Sequence, residues 1–353
     1  MKILGIESSC DETAAAVVED GYRLLSNAIA SSMDIHALYG GVVPEIAARS
    51  HIESIIPIIK QSLGDAKLDW GDIDAIAVTY GAGLGGSLLI GVLAARTLAI
   101  VKNKPIYAIN HVEGHVYANF LTESALPGYS LPASQPRFPL LALIVSGGHS
   151  QLVLFKDHFN YSLLGQTQDD AIGEAFDKVA KILGLPYPGG PSIGSAAERG
   201  NPAKYPLPKA KMDSKYDFSF SGLKSAVLRL AQHEAGVDFS FPSTKLAEHL
   251  SEGQKVDIAA SFEHIAIQTV VDKTVMAVNE FRPATVVIAG GVAASKKLRS
   301  QLSARLPFPI MYTDSRLCTD NGAMIAALGC YKMLLNQPTA NPYSLGIYPD
   351  LSM

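Results

Sequence analysis

The chain has 353 residues, more than the roughly 250–300 that a single hydrophobic core usually serves, so its length predicts two lobes. With 48% hydrophobic and 18% charged residues, the composition fits a soluble globular enzyme. We find no apolar run of the ~18 residues that a membrane span needs, and therefore expect no contact with a membrane. The net charge of −4 predicts only weak non-specific attraction to nucleic acid.

The start of the chain and its cysteines bear on the cellular compartment. Met1 and Lys2 lead directly into a strand-like apolar run, which leaves no room for a targeting segment, so we expect a cytoplasmic protein. The cysteines, Cys10, Cys318 and Cys330, are too few and too scattered for a disulfide framework or a Cys-x-x-Cys zinc site. We expect them to be buried free thiols.

The first half of the chain predicts a β-meander followed by alternating strands and helices. Residues 3–8 and 13–19 form strands joined by a polar turn, and Asp20-Gly21 is a hairpin turn into a third strand. Pro44 suits the first position of a helix. Strands at residues 73–79 and 107–110 are each followed by a helix. The apolar residues of the helix after Pro44 recur at near-helical spacing: Ile46, Ala47, Ile52, Ile55, Ile56 and Ile59.

The second half repeats this plan. Residues 140–146 and 150–155 predict strands, residues 172–184, 221–234 and 255–280 predict helices, and residues 285–289 predict a strand that ends at Gly290-Gly291. Four prolines between residues 121 and 139 mark the boundary between the lobes. We therefore divide the chain into a first lobe (1–122) with a metal-binding helix, a Pro-rich linker (123–139), a second lobe (140–324), and a C-terminal helix and tail (325–353) that packs back on the first lobe.

Turns rich in small residues recur at matching points in the two halves. Backbone N–H groups in such turns approach phosphate closely, although a single turn of this kind commonly only closes a strand–helix corner. Their matching placement predicts an α/β fold of two duplicated actin-like ATPase (ribonuclease H-like) lobes around a central nucleotide cleft. The turns are residues 8–12, 81–87, 146–149 and 290–291, with a fifth candidate at residues 188–191.

His111 and His115 stand four residues apart, so both imidazoles lie on one face of a helix and can share a metal. Surface or capping histidines are the alternative. Asp320 is a candidate third ligand, although it also suits the N-cap of the last helix. Such a set suits Fe(II) or Zn(II). A metalloprotease is disfavoured, because Glu113 lies two residues after His111 and points ~200° away from it, so we expect Glu113 to cap, pair with or orient a neighbour.

Six motifs resemble the tRNA N6-adenosine threonylcarbamoyltransferase family, and together they extend over nearly the whole chain. The resemblance implies that His111, His115 and Asp320 bind one divalent metal per subunit, for which we prefer Fe(II) to Zn(II). The motifs are Gly5-Ile6-Glu7-Ser8-Ser9-Cys10-Asp11-Glu12-Thr13, His111-Val112-Glu113-Gly114-His115, Val145-Ser146-Gly147-Gly148-His149, Gly173-Glu174-Ala175-Phe176-Asp177-Lys178, Phe218-Ser219-Phe220-Ser221-Gly222-Leu223-Lys224 and Cys318-Thr319-Asp320-Asn321-Gly322-Ala323-Met324.

The resemblance also implies the remaining site residues. Asp177 and Gly190 join the turn at residues 144–148 as contacts of the threonylcarbamoyl-AMP substrate, with an N-cap or a salt bridge to Lys178 or Lys181 as the alternative role of Asp177. Ser295 stands where the family often has Asn, and keeps a donor and an acceptor on a shorter side chain. Asp11 and Glu12 are candidate catalytic residues near the reacting centre. The residues of the turn that contact the substrate are Ile144, Val145, Ser146, Gly147 and Gly148.

By this resemblance the chain transfers a threonylcarbamoyl group to tRNA. Its expected partners are tRNA and, in a bacterium, a smaller paralogue of the same fold and a P-loop ATPase, with no membrane involved. Two alternatives stay open. A small-molecule kinase of the same fold explains the glycine turns but leaves the histidines unused, whereas a non-catalytic scaffold paralogue needs no metal ligands.

Overall fold

The computed structural model describes all 353 residues, which form two compact units. Unit 1 contains residues 1–136 and 311–353, and unit 2 contains residues 137–310. The division falls within the Pro-rich stretch that the sequence analysis treats as a linker. Residues 311–324, which the sequence analysis assigns to the second lobe, lie in unit 1 together with the C-terminal helix. Asp320 therefore belongs to the same unit as His111 and His115.

A six-stranded sheet forms the centre of unit 1, in the order β5-β4-β1-β2-β3-β6. The antiparallel meander β1–β2–β3 is the one that the sequence predicts, and β4 pairs in parallel with β1. The start of β2 and the end of β4 therefore both lie beside the turn that follows Glu7. The strands are β1 (Lys2–Glu7), β2 (Glu12–Glu19), β3 (Arg23–Ser31), β4 (Ala75–Gly81), β5 (Ile106–Asn110) and β6 (Glu123–Ser124).

The helices alternate with the strands along the chain, and most lie where the sequence predicts them. Those of the first half are α1 (Met33–Ala37), α2 (Pro44–Ala66), α3 (Gly85–Lys102) and α4 (His111–Tyr117). Those of the second half are α5 (Ile172–Leu183), α6 (Gly189–Ala197), α7 (Ser221–Glu234), α8 (Ser243–Leu246), α9 (Glu252–Phe281) and α10 (Lys296–Arg305), followed by α11 (Ser315–Cys318) and α12 (Gly322–Leu334) of unit 1.

Helix α2 begins at Pro44, as predicted, but its apolar face is narrower than the sequence suggests. Ile55 and Ile59 are buried, whereas Ile52 and Ile56 are 61% and 46% exposed. The predicted helix is confirmed, and the near-helical spacing includes two residues that lie outside the core. At ~100° per residue, Ile52 and Ile56 lie about 40° and 80° to one side of the midline through Ile55 and Ile59, so the exposed side chains are at the edge of the buried face.

Helix α3 is long and apolar enough to cross a membrane, by length and composition alone, with 18 residues and a mean hydropathy of 1.5. The expectation that no run reaches this length was therefore wrong. Core helices of folded units meet the same criterion, and α3 packs against β4 and α2. Its Arg96 donates hydrogen bonds to the carbonyls of Pro342, Tyr343 and Leu345, which ties the helix to the C-terminal tail.

Helix α12 packs directly on the backbone of β1 and β2 through two glycines. A Cβ atom on Gly5 would lie 2.3 Å from the carbonyl oxygen of Gly322, and one on Gly322 would lie 2.5 Å from the backbone nitrogen of Ala16. Only glycine permits this approach. The contact fixes the start of α12, and with it Asp320, against the end of the sheet that carries Glu7.

Unit 2 is built around a four-stranded sheet in the order β10-β7-β8-β9. Antiparallel β7 and β8 are joined by a short turn, and β10 pairs with β7 in parallel, as β4 pairs with β1. This repeated arrangement confirms the predicted α/β fold of two similar halves. The strands are β7 (Leu140–Val145), β8 (Ser150–Asp157), β9 (Asn160–Gln166) and β10 (Thr285–Ala289).

Candidate metal centre and nucleotide-binding turns

The two histidines stand on a short helix whose start is fixed by a side-chain cap. Strand β5 ends at Asn110, whose Oδ1 accepts hydrogen bonds from the backbone N–H of Val112 at 2.8 Å and Glu113 at 3.3 Å. This is the N-cap arrangement that satisfies otherwise unpaired N–H groups of a first helical turn. Helix α4 therefore begins at His111, and His115, one turn further along, lies on the same face of the helix.

The structure brings together His111, His115 and Asp320, whose candidate ligand atoms all lie within 4.8 Å of one another. Oδ1 of Asp320 lies 3.2 Å from Nε2 of His115 and 3.5 Å from Nε2 of His111. Nε2 of His115 is buried and has no hydrogen-bond partner, so its approach to Asp320 is not a hydrogen bond. Two imidazole nitrogens and a carboxylate oxygen that converge at these distances fit a divalent cation.

Glu7 orients the first histidine. Its Oε2 accepts a hydrogen bond from Nδ1 of His111 at 3.1 Å, and its carboxylate also accepts from the Ser9 N–H and the Thr79 hydroxyl, each at 2.5 Å. Glu7 is completely buried. Glu7 was not predicted as a site residue, although it lies inside the first motif and directly before the first turn. An acidic residue at the end of an otherwise apolar strand was the available signal.

The carboxylates give the centre a strong negative field. Burial by itself would lower the pKa of His111, but the charges of Asp320 and Glu7 raise it to about 9. Burial would likewise raise the pKa of Glu7, but the adjacent His111 holds it below its ordinary value. The carboxylates of Glu7 and Asp320 thus favour positive charge at this position, which a divalent cation would supply in place of the proton on Nε2 of His111.

Asp11 and Glu12 lie at the turn between β1 and β2. The carbonyl of Asp11 accepts hydrogen bonds from the backbone N–H and the hydroxyl of Ser32, at 3.0 and 2.9 Å, which ties the turn to the end of β3. Burial, together with the charges of Asp320 and Asp11, raises the pKa of Glu12 to about 9. The negative charge of Asp320 at the metal centre thus acts on the carboxyl group of Glu12.

The three cysteines are free, and Cys318 and Cys330 are buried as expected. Cys10 is only partly buried, because it lies in the turn rather than in the core. Burial and the neighbouring Asp11 raise the pKa of its thiol strongly, so Cys10 is not a thiolate nucleophile.

Glu113 is buried in α4. Its Oε1 has no hydrogen-bond partner, and burial raises its pKa to about 7, while Lys332 of α12 opposes this rise. It is not one of the residues that converge at the metal centre. The geometry agrees with the argument against a metalloprotease, and Lys332 is the neighbour that its charge faces.

The predicted substrate turn of unit 2 joins β7 to β8. It is closed by a hydrogen bond of 2.8 Å from the Ser146 N–H to the His149 carbonyl. Gly147 and Gly148 are exposed, and a Cβ atom on either would meet open space. Ile144 and Val145, by contrast, are completely buried in the strand. Their side chains face the core, so only their backbone is available to a ligand.

Asp177 and Gly190 come together where α6 begins. Oδ1 of Asp177 accepts a hydrogen bond of 2.7 Å from the Gly189 N–H, and Lys178 pairs instead with Asp170 and Glu174. A Cβ atom on Gly190 would meet nothing within 4 Å. Asp177 thus supports the Gly-Gly turn, and Gly190 borders open space.

Ser295 has a structural role of its own. Its hydroxyl accepts a hydrogen bond of 3.3 Å from the Leu298 N–H and so caps α10. Any contact of Ser295 with a ligand would have to coexist with this cap.

The two parallel pairs of strands, with their turns and the buried ligand cluster in unit 1, define an actin-like ATPase fold that carries a candidate metal centre.

Comparison with known proteins identifies the family. Residues 23–327 match the TsaD family, tRNA N6-adenosine threonylcarbamoyltransferase. A relative of that name from Thermomicrobium roseum is 50% identical over 338 residues, which cover 94% of this chain and 92% of the relative. The chain belongs to this family and is a transferase of tRNA modification.

Two solved structures support the fold alone, because both are distant in sequence. Component A of the (R)-2-hydroxyglutaryl-CoA dehydratase of Acidaminococcus fermentans is 16% identical with a TM-score of 0.50, over 95% of this chain and 99% of that one. Full-length HypF in its phosphate- and nucleotide-bound form is 14% identical with a TM-score of 0.57, over 94% of this chain and 55% of that one.

Proposed function

We propose that this chain transfers the threonylcarbamoyl group of threonylcarbamoyl-AMP to the N6 amine of the adenosine next to the anticodon, at position 37, in tRNAs that read codons beginning with A. The observation that carries the proposal is the buried cluster of His111, His115 and Asp320 in a member of this transferase family. A kinase or a scaffold of the same fold has no use for this cluster.

The residues of unit 1 act on the reacting group. His111, His115 and Asp320 would hold one divalent ion, for which we prefer Fe(II) to Zn(II). When bound, the ion supplies Lewis-acid polarisation of the carbamoyl carbonyl. Glu7 keeps Nδ1 of His111 protonated, which leaves Nε2 for the ligand position.

The transfer is a direct attack of the amine on the carbamoyl carbon. A C–N bond forms, the bond from this carbon to the phosphate oxygen breaks, and AMP leaves with the electron pair. The proton that the amine loses passes to solvent or to the phosphate of the departing AMP. The pKa of Glu12, raised to about 9, keeps its carboxyl group protonated at neutral pH, so Glu12 would act near the reacting centre as a hydrogen-bond donor. Asp11 lies beside it in the same turn.

The residues of unit 2 hold the nucleotide. The exposed backbone of Gly147 and Gly148 offers N–H groups to an anion, and Gly190 permits close approach at the start of α6. Ser146 and Asp177 keep the two turns in shape. Ile144 and Val145 contribute backbone only, and Ser295 contributes through the start of α10.

The charge of the chain bears on its partners. With a net charge of −4 it has little electrostatic attraction for tRNA, so we propose that tight binding of tRNA needs additional proteins, a smaller paralogue of the same fold and a P-loop ATPase if the source is bacterial. The proposed compartment is the cytoplasm.

The test is single-turnover transfer from threonylcarbamoyl-AMP to unmodified tRNA with the partner proteins present. We expect His111→Ala to lose bound metal and transfer, whereas His233→Ala, which removes an exposed histidine of α7, keeps both. Full transfer by a metal-free double variant of His111 and His115 would overturn the role of the metal. Absence of transfer by the wild-type chain would overturn the reaction.

A further inference from the structure

Helix α9 carries a carboxylate that no residue of the chain satisfies. Glu263 is 9% exposed and has no hydrogen bond or ion pair. Burial raises its pKa, an effect that Lys297 opposes and Glu198 reinforces from a distance. Buried carboxylates are ordinarily paired, so an unpaired one that still reaches solvent at its tip is a candidate for contact with a ligand.

The carboxylate points at the face of α6 that begins with Gly190. Gly190 and Gly194 are one turn apart and share that face. A Cβ atom on Gly190 would meet nothing within 4 Å, and one on Gly194 would meet only Oε1 of Glu263, at 3.6 Å. The two glycines therefore leave an open strip on α6 that ends at the carboxylate of Glu263.

Other elements of unit 2 border the same strip. Asp177 of α5 holds the Gly189 N–H at the start of α6, and α10, which carries Lys297, packs against α9. The turns proposed to hold the nucleotide and the unpaired carboxylate thus surround one region of unit 2. Asp177 already uses Oδ1 on the protein backbone, whereas Glu263 has both oxygens available.

We propose that Glu263 binds a ribose hydroxyl of the adenylate by accepting its hydrogen bond. An ionised carboxylate is an acceptor only, and a ribose hydroxyl is a donor of matching polarity. The contact also supplies the partner that the buried carboxylate lacks. This assignment rests on the proposed function, because it presumes that the strip beside Gly190 holds the nucleoside of threonylcarbamoyl-AMP.

The sign of the charge makes the proposal testable. AMP is an anion, so removal of a nearby carboxylate strengthens its binding by Coulomb interaction alone. Loss of a direct hydrogen bond has the opposite effect and weakens binding. For a bond to a charged acceptor, the change in affinity is roughly 10- to 100-fold. Weaker binding of AMP after Glu263→Ala would therefore show a direct hydrogen bond from AMP to Glu263, because loss of the negative charge alone would strengthen binding.

The experiment measures the affinity of the intact chain for AMP, 2′-deoxy-AMP, 3′-deoxy-AMP and inosine monophosphate by calorimetry. We expect Glu263→Ala to weaken AMP binding at least tenfold and to leave the binding of one deoxynucleotide unchanged, because that nucleotide lacks the contacted hydroxyl. Glu198→Ala is the matched control. It removes an exposed carboxylate at the C-terminal end of α6, the helix that Glu263 faces, and we expect AMP affinity to be unchanged or slightly higher.

Each other outcome overturns the assignment. Equal losses for AMP and both deoxynucleotides would mean that the substitution damages the pocket, and a loss that disappears only with inosine monophosphate would mean that Glu263 contacts the base. If Glu263→Ala does not fold, Glu263→Gln is expected to show the same pattern with a smaller loss. Unchanged AMP affinity in a folded variant sinks this inference and leaves the proposed function intact, whereas a wild-type chain that binds no AMP sinks both.

Discussion

Oε2 of Glu7 and Nδ1 of His111 are 3.1 Å apart, although the two residues come from a strand and a helix distant in the chain. The hydrogen bond keeps a proton on Nδ1 of His111, so Nε2, which faces His115 and Asp320, is the nitrogen that would bind a metal ion. Carboxylate–histidine pairs of this kind orient metal-binding imidazoles and raise their basicity. Glu7 is thus the residue through which β1 sets the geometry of the candidate metal centre.

Replacement of Glu7 by Gln should weaken metal binding. Gln keeps the volume of the side chain but is not an anionic acceptor for His111, and loss of such partners typically costs 10- to 100-fold in metal affinity. The measurement is the dissociation constant for Zn(II) or Fe(II) in competition with a chelator. Glu45→Gln, which alters an exposed residue of α2, is the control and should bind metal as the wild type does. An unchanged constant in folded Glu7→Gln would show that Glu7 does not orient the histidine.

A methyl group added at Gly322 should push α12 away from the sheet. Its Cβ atom would lie 2.5–2.8 Å from backbone atoms of Ala15 and Ala16, which cannot move aside. We expect Gly322→Ala to lower the free energy of unfolding by about 1–3 kcal/mol and to weaken metal binding, because Asp320 moves with the helix. Urea denaturation and metal titration measure the two effects.

Gly64 offers the matched control for this substitution. It lies within α2, and a Cβ atom there would meet nothing within 4 Å. Gly64→Ala should leave stability unchanged or raise it by up to about 1 kcal/mol, since Ala favours the helix. Equal stability of the two variants would contradict the close packing of α12 on β2.

The turn that carries Asp11 and Glu12 should lose stability in mild acid through His51. The Thr13 hydroxyl lies 2.8 Å from Nδ1 of His51, and Nε2 lies 2.9 Å from the Cys10 carbonyl. Burial lowers the pKa of His51 below its ordinary value of 6.5. Below about pH 6.5, His51 is therefore protonated more readily in the unfolded chain than in the folded chain. The stability that neutral His51 contributes at neutral pH is lost as the pH falls through this range.

This dependence is measured by comparing the free energy of unfolding of the wild type and His51→Gln between pH 8 and pH 5. The wild type should lose more stability than the variant over this interval, with a difference in slope of at most about 1.4 kcal/mol per pH unit for one proton. Parallel curves would show that His51 is not the titrating group.

Local signals in the sequence predicted the elements well. Residues 221–234 and 285–289 have the predicted bounds, and α2 begins at Pro44, because helix starts and buried strands depend on neighbouring residues. Burial within a helix does not follow from the spacing alone. Ile52 and Ile56 look like core residues by spacing but are exposed, since the pattern does not say which stripe of a helix meets the sheet.

The sequence by itself determined the alternation of strands and helices, the glycine turns and the shared face of His111 and His115, because each depends on spacing within a few residues. Only the tertiary structure decided that Glu7 supports His111 and that Glu263 stands unpaired opposite Gly194. These relationships join residues far apart in the chain. They arise from the packing of helices on sheets and on one another, which spacing along a single segment does not encode.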